Sequence, residues 1–389
     1  MPSLETEFDQ LQDALERGGV DAALDQLAEY LRENKKYHEL FEALKMKVRH
    51  GLGLPLTYSD AGDELDESTR SKLEDGLIDA CRTVGTALLR EGAIREGWMY
   101  LRPVGDRAAA AVELLNIEAN EENLDALIEV SLHEGVDPKR GYALVLERHG
   151  TCNAITTYES VVVRQSMAAQ QAAAGLLVEH VHSELLATLR ADIAQQQGSE
   201  PAEATLKDLV ADRDWLFGEH SYHLDTTHLA STVRFARLLD DETQLRLALD
   251  LTAYGRRLSS QFQYKGDQPF ADIYPSHALY LGALLGEDID AAIEYFRERA
   301  ESLDPREHGG LPVEAFVQLL DRLGRYELAI NALLDFVQKQ PDAASQAVPL
   351  MLELSQKAGN FDKLTAYCRG RGDVLGYATA ALCSAGARE

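Results

Sequence analysis

The chain has 389 residues, and 65 Asp and Glu against 38 Lys and Arg leave a formal charge of −27 at pH 7. A surface this negative repels phosphate backbones, which excludes non-specific binding of DNA or RNA. At 45% hydrophobic and 26% charged the chain has enough apolar material for a sizeable core and is neither disordered nor fibrous in composition.

Near the start, Gly18, Ala23, Leu27 and Tyr30 open a pattern in which a glycine ends one helix and small and apolar residues at helical spacing begin the next. Gly51-Leu-Gly53-Leu-Pro55 reads as a loop, because it lacks the preceding strand and the third glycine of a dinucleotide fingerprint. The acidic run from Asp60 to Glu67 reads as a solvated loop that ends in the cap of a helix from Ser68. Further copies of the glycine pattern are expected around Gly92 and Gly135. A helix from Pro138 carries His149 in its last turn and stops at Gly150. Cys152 follows closely, and a thiol near an imidazole suggests a nucleophile with its base, beside the simpler reading of an ordinary helix end.

Asn153 to Gln197 reads as nearly continuous helix with Gly175 its one break, and Gly198-Ser-Glu-Pro201 as a linker. Asp212 to Asp225 and Gln261 to Pro275 are irregular and rich in aromatic residues; between and after them, helical hairpins are expected over Asp225–Gln263 and Tyr274–Ala300. The pattern then sharpens. Gly286 is followed by Ala291 and Tyr295, Gly324 by Tyr326 and Ala329, and Gly359 by Phe361 and Leu364. In the clearest copy Phe316, Leu319, Leu320 and Leu323 precede Gly324, and Ala329, Ile330, Leu333, Leu334 and Val337 run on to Pro341.

Gly324-Arg-Tyr326-x-x-Ala329 with Pro341 resembles the tetratricopeptide repeat, whose small and aromatic core positions and terminal proline it matches. The resemblance implies an all-α fold, a right-handed superhelix of antiparallel helix pairs, with a less regular central helical segment. The expected organisation is an N-terminal repeat region over residues 1–150, a central segment over 151–275 and C-terminal repeats over 276–389, joined in one continuous solenoid. Small residues at 329 and 291 are expected to let paired helices approach closely. No run approaches the roughly 18 consecutive apolar residues of a membrane span, and the acidic start is unlike a secretory signal, so no membrane partner and a cytoplasmic location are expected. Cys81, Cys152, Cys368 and Cys383 are scattered, without the spacing of a disulfide framework or a zinc knuckle.

Six of eleven histidines lie between residues 180 and 277. On the helix through Leu177 to Ile193, His182 shares a face with Val178, Leu185 and Leu189, whereas His180 lies about 200° away. His182 is expected to pair with Glu179, and His180 with Glu184. Asp225 sits where a helix cap belongs, with His228 in the turn that follows. His277 and Tyr274 occupy the equivalent turn of the next hairpin, behind a second aromatic loop. Glu179-x-x-His182 has the spacing of di-iron and di-manganese helical proteins, but no second Glu-x-x-His exists.

The sequence therefore supports a metal-dependent enzyme, with His182, His223, His228 and His277 as ligands to a divalent transition metal, Zn, Fe or Mn. Asp225, Glu179 and Tyr274 would orient ligands or transfer protons to a small-molecule substrate. The alternative is a non-catalytic scaffold that binds a basic peptide or a partner protein, as the negative charge favours.

Overall fold

A computed structural model of the chain describes residues 4–57, 65–340, 342 and 344–386. Pro341 and residues 60–64 of the acidic run lie outside the described residues. Among the described residues there are 19 α-helices with short 3-10 turns between some of them and no strand; Lys265 and Asp272 form an isolated antiparallel bridge. No helix is long and apolar enough to cross a membrane. The helices fall into two compact units, Met1–Ala169 and Gln170–Glu389.

In the first unit α1 (Leu4–Glu33) bends at Gly19, whose φ of 73° places the break one residue after the expected Gly18. It packs on α2 (Tyr37–Gly51), α2 on α3 (Glu67–Arg90) and α3 on α4 (Ile94–Leu101). Ala28, Leu31, Leu40, Ala43, Val84 and Leu88 form the shared core. Asp66 caps α3 by accepting from the Thr69 amide at 3.0 Å, so the acidic run does end in a cap, one turn position earlier than expected. The α3–α4 contact is close because it is made by glycines. A Cβ on Gly85 would lie 2.8 Å from the Gly97 carbonyl oxygen, and one on Gly97 3.0 Å from that of Gly85. After α5 (Arg107–Leu115) and α6 (Leu124–Ile128) comes one π-helical turn, Glu129–His133, against which Gly141 of α7 (Pro138–Ser160) is pressed. Gly150, with φ 80°, breaks α7 just after His149, as the sequence indicates.

The second unit is built along α8 (Met167–Gln197), which runs unbroken through Gly175. The expected break falls earlier, at residues 161–166, where a 3-10 turn (Val162–Arg164) separates α7 from α8. Gly175 serves a close approach instead: a Cβ there would meet the Gln244 side chain at 2.4 Å. There follow α9 (Leu206–Ala211), α10 (Thr226–Phe235), α11 (Glu242–Gly255), α12 (Ile273–Leu284), α13 (Ile289–Ser302), α14 (Pro305–His308), α15 (Leu311–Arg322), α16 (Tyr326–Lys339), α17 (Ala344–Ala358), α18 (Asp362–Arg371) and α19 (Val374–Gly386). Helices adjacent in sequence pack on each other through α10–α13 and α15–α19, and α13 packs on α15.

The α15–α16 hairpin is the expected one. Phe316, Leu319, Leu320, Ala329, Ile330, Leu333 and Val337 are buried, and Gly324 turns the chain with φ 68°. That left-handed residue lets the Arg325 amide reach back to the Leu320 carbonyl at 2.8 Å, which satisfies a helix-end acceptor. The same closure recurs behind Gly92, Gly286, Gly359 and Gly372, where the next amide bonds the carbonyl five residues back at 2.8–3.1 Å. The second expected close-packing alanine is out of phase. Ala291 is exposed, and Ala292 is the one fully buried.

The turn between α10 and α11 is tied down by a distant arginine. Arg322 of α15 donates to the carbonyls of Arg237 and Leu239 and to Asp240 Oδ1 at 2.8 Å. Gln171 of α8 adds bonds to the Leu238 carbonyl at 2.9 Å and to Asp240 Oδ2 at 2.6 Å. Because the Arg322 side chain is only 16% exposed and its two carbonyl acceptors are partly buried, Arg322→Ala is expected to cost about 2 kcal/mol, within the range for hydrogen bonds to charged groups, measured by urea unfolding.

Candidate functional site

The histidine region is assembled on α8. Val178, Leu185 and Leu189 of that helix are fully buried, and His182 continues their stripe, while His180 lies on the exposed side, as the helical phases require. His182 does not use Glu179. Its Nε2 lies 3.4 Å from Asp250 Oδ2 on α11, and Glu179 Oε1 instead accepts from Gln244 Nε2 at 2.8 Å. The side chain that occupies the space over Gly175 thus takes the carboxylate from the histidine.

His223 is fixed by three bonds. Its backbone amide donates to the Tyr254 hydroxyl at 3.0 Å, its Nδ1 lies 2.9 Å from the same oxygen, and its Nε2 lies 3.2 Å from Asp192 Oδ2. A carboxylate only accepts, so Nε2–H donates to Asp192 and Nδ1 accepts from the Tyr254 hydroxyl. Every polar atom of the ring and the phenol is then satisfied. Burial raises the Tyr254 pKa to about 12, so the phenol stays a hydrogen-bond donor. The result is a strap from α8 through the 212–225 loop to α11. Tyr254→Phe is expected to cost about 1–2 kcal/mol and to free this loop, read by unfolding and by the emission of Trp215 within it.

Asp225 behaves as a cap. Its Oδ1 accepts from the Thr227 hydroxyl at 2.6 Å and from the amides of Thr227 at 2.8 Å and His228 at 3.3 Å. The Thr227 hydroxyl, ahead of the amides, holds the carboxyl below its ordinary pKa. His228 follows in the first turn, half-buried, and its carbonyl accepts from Thr232.

His277 and Tyr274 are sealed in. His277 is 0% exposed; Nδ1–H donates to the Ile273 carbonyl at 2.6 Å, the ring packs 4.4 Å from that of Phe270, and Nε2 has no partner. Burial, reinforced by the Arg237 charge, drives its pKa down to about 3, so the ring is neutral. Tyr274 is 1% exposed, its hydroxyl is unpartnered, its pKa is raised by burial, and its ring lies against Gly255.

The aromatic loops pack on each other. Phe262 meets Tyr222 edge-on at 5.1 Å, and Phe217 lies 5.4 Å from Tyr254 with the Arg257 guanidinium 4.3 Å from its ring centre. His220 is exposed and lies 3.2 Å from the Gln261 amide.

The proposed ligands thus occupy separate places: His182 with Asp250, His223 with Asp192 and Tyr254, His228 beside Asp225, and His277 alone among aromatic rings. Among the described residues no three His, Cys, Asp or Glu side chains are grouped to hold a metal ion. One histidine and one carboxylate supply two ligands, where zinc sites take three or four from the protein. Cys152 is exposed on the stretch of α7 after the Gly150 break, and no described hydrogen bond joins it to His149. Asp192, Asp250, Tyr254 and Gln244, which decide what the histidines do, carry no sequence signal, because each meets its histidine or glutamate from 31 to 68 residues away. Among the models of known families, the curated proteins and the solved structures compared with the chain, none matches it.

Proposed function

We propose that the chain is a non-catalytic helical-repeat scaffold, a tetratricopeptide-like stack of antiparallel helix pairs, that binds a basic peptide or a basic face of a partner protein. The observation that carries this reading is how the central histidines are spent. His182 lies against Asp250 and His223 against Asp192, and His277 is closed off from solvent, so these three residues hold helices together. The metal-dependent enzyme draws no support from this geometry, since a coordinated water or a substrate needs several convergent ligands and an open position. The repeated glycine closures and the packing of successive hairpins support the stacked-pair architecture. The charge of −27 supports a positively charged partner, drawn in by long-range attraction.

The test is an array of lysine- and arginine-rich peptides probed with the intact protein. Binding is expected, weakened about tenfold or more between 50 and 300 mM NaCl as the charges are screened, and unchanged by a chelator or by His228→Ala. Absence of binding to every basic peptide, or binding lost with the chelator, overturns the reading.

A further inference from the structure

In the first unit, α5 buries one side and leaves the other bare. Ala110 and Leu114 are buried, whereas Ala108, Val112 and Leu115 are exposed, Val112 and Leu115 by 60% and 61%. At 100° per residue these three lie within about 60° of one another. The helix has two charged residues: Arg107 opens it, off this stripe, and Glu113 pairs with Arg90 of α3. The chain leaving the C-terminal end of α5 then carries Glu118, Glu121, Glu122 and Asp125, all exposed. Their turn is held by its own side chains. Asn120 Oδ1 accepts from the amides of Glu122 and Asn123 at 2.9 and 3.1 Å, and Asn123 bonds back to the Asn120 amide at 2.8 Å and the Glu118 carbonyl at 2.9 Å. From Glu113 to Glu134 the sequence has seven acidic residues and no Lys or Arg. Among the described residues, the guanidiniums that reach this stretch go to Glu113, Glu129 and Glu134 and, from Arg140 and Arg148, to the carbonyls of Ile117 and Ala119. Glu118, Glu121, Glu122 and Asp125 are left without an ion pair there, and the stretch stays negative even with those arginines counted.

We propose that the basic partner docks here as an amphipathic helix, with its apolar side on the α5 stripe and its Lys or Arg side chains against Glu118, Glu121, Glu122 and Asp125. The site presupposes the scaffold reading and gives its partner a place. A bare apolar helix face is complementary to apolar side chains at the three- and four-residue spacing of another helix. Carboxylates without cations at the end of that face select positive charge, and the free carbonyls that close α5 add to the same field. The same carboxylates repel a nucleic acid, an anionic bilayer and a second copy of a chain of charge −27. Burial of Val112 and Leu115 supplies most of the affinity, because exposed ion pairs contribute little each. The carboxylates set the register and speed the encounter.

Fluorescence anisotropy of the full chain with two labelled probes tests this: a helical leucine–lysine peptide of about five turns, and polylysine of equal charge. The leucine–lysine peptide is expected to bind at least about tenfold more tightly than polylysine, and Val112→Asn with Leu115→Asn to remove that advantage. Glu121→Lys with Glu122→Lys is expected to weaken the binding of both probes by about tenfold. Melting curves should not change, because all four side chains are exposed. Val374→Asn with Leu375→Asn, which alters a bare apolar pair on α19, should leave binding as it is. Binding that is unmoved by either the α5 pair or the glutamate pair, or that the α19 pair weakens equally, overturns this site while the scaffold reading stands. No binding of any basic peptide overturns the scaffold reading, and the site with it.

Discussion

Lowering the pH from 7 to 5 is expected to reduce the unfolding free energy of the second unit by about 2 kcal/mol through His277 alone. The ring titrates near 6.5 when unfolded and near 3 when folded. Between those values the unfolded chain carries a proton there that the folded chain does not, so unfolding takes up a proton and acid favours it. The contribution is whole above about pH 6.5, declines by up to roughly 1.4 kcal/mol per unit, and is exhausted near pH 3. His277→Gln, whose amide can still donate to the Ile273 carbonyl, removes this slope. The measurement is urea unfolding of both proteins at pH 7, 6 and 5, followed by Trp215 emission. Parallel pH profiles would mean that the imidazole is not held neutral.

Gly255→Leu is expected to destabilise the second unit by about 3 kcal/mol, at the upper end of overpacking costs. A Cβ at this position would stand 2.4 Å from two carbons of the Tyr274 ring, which is 1% exposed and has no room to retreat. Tyr274→Ala is expected to cost about 3–5 kcal/mol by leaving a cavity. The double substitution should cost clearly less than the two together, because the leucine fills part of the space the ring vacates. Additive losses in a double-mutant cycle would show that the two sites do not share that space. A catalytic Tyr274 would lose activity and little stability on substitution, the reverse of this expectation.

The sequence displays the hairpins because their grammar is local. Gly324 lies within a few residues of Leu320 and Ala329, and a glycine flanked by apolar residues at helical spacing is enough to place the turn. The phase of an alanine pair is less secure. Ala291 and Ala292 are both small, and only packing against the neighbouring helix decides which one faces inward. The inward side of α8 was readable from its 3.6-residue period, so His182 was placed correctly. Its partner was not, because Glu179 is three residues away in sequence and Asp250 is 68, and no periodicity weighs one against the other. Gln244 settled the matter by taking the nearer carboxylate. Equivalent first turns likewise do not bring His228 and His277 into one site. The Phe270 ring covers one imidazole, and Asp225 caps the turn that carries the other.

The glycine closures set where this protein tolerates substitution. Each joint is made by main-chain atoms and one residue in a conformation that side chains resist, so the exposed positions between joints are nearly free to drift. A beta carbon at Gly92, Gly286, Gly324, Gly359 or Gly372 meets little by way of neighbours; what opposes it is the backbone twist, worth roughly 1 kcal/mol at each joint. A saturation scan of the chain should therefore trace a sparse ladder of sensitive rungs, about 35–38 residues apart from Gly286 through Gly324 to Gly359 with one closer rung at Gly372, and broad permissive surface between them.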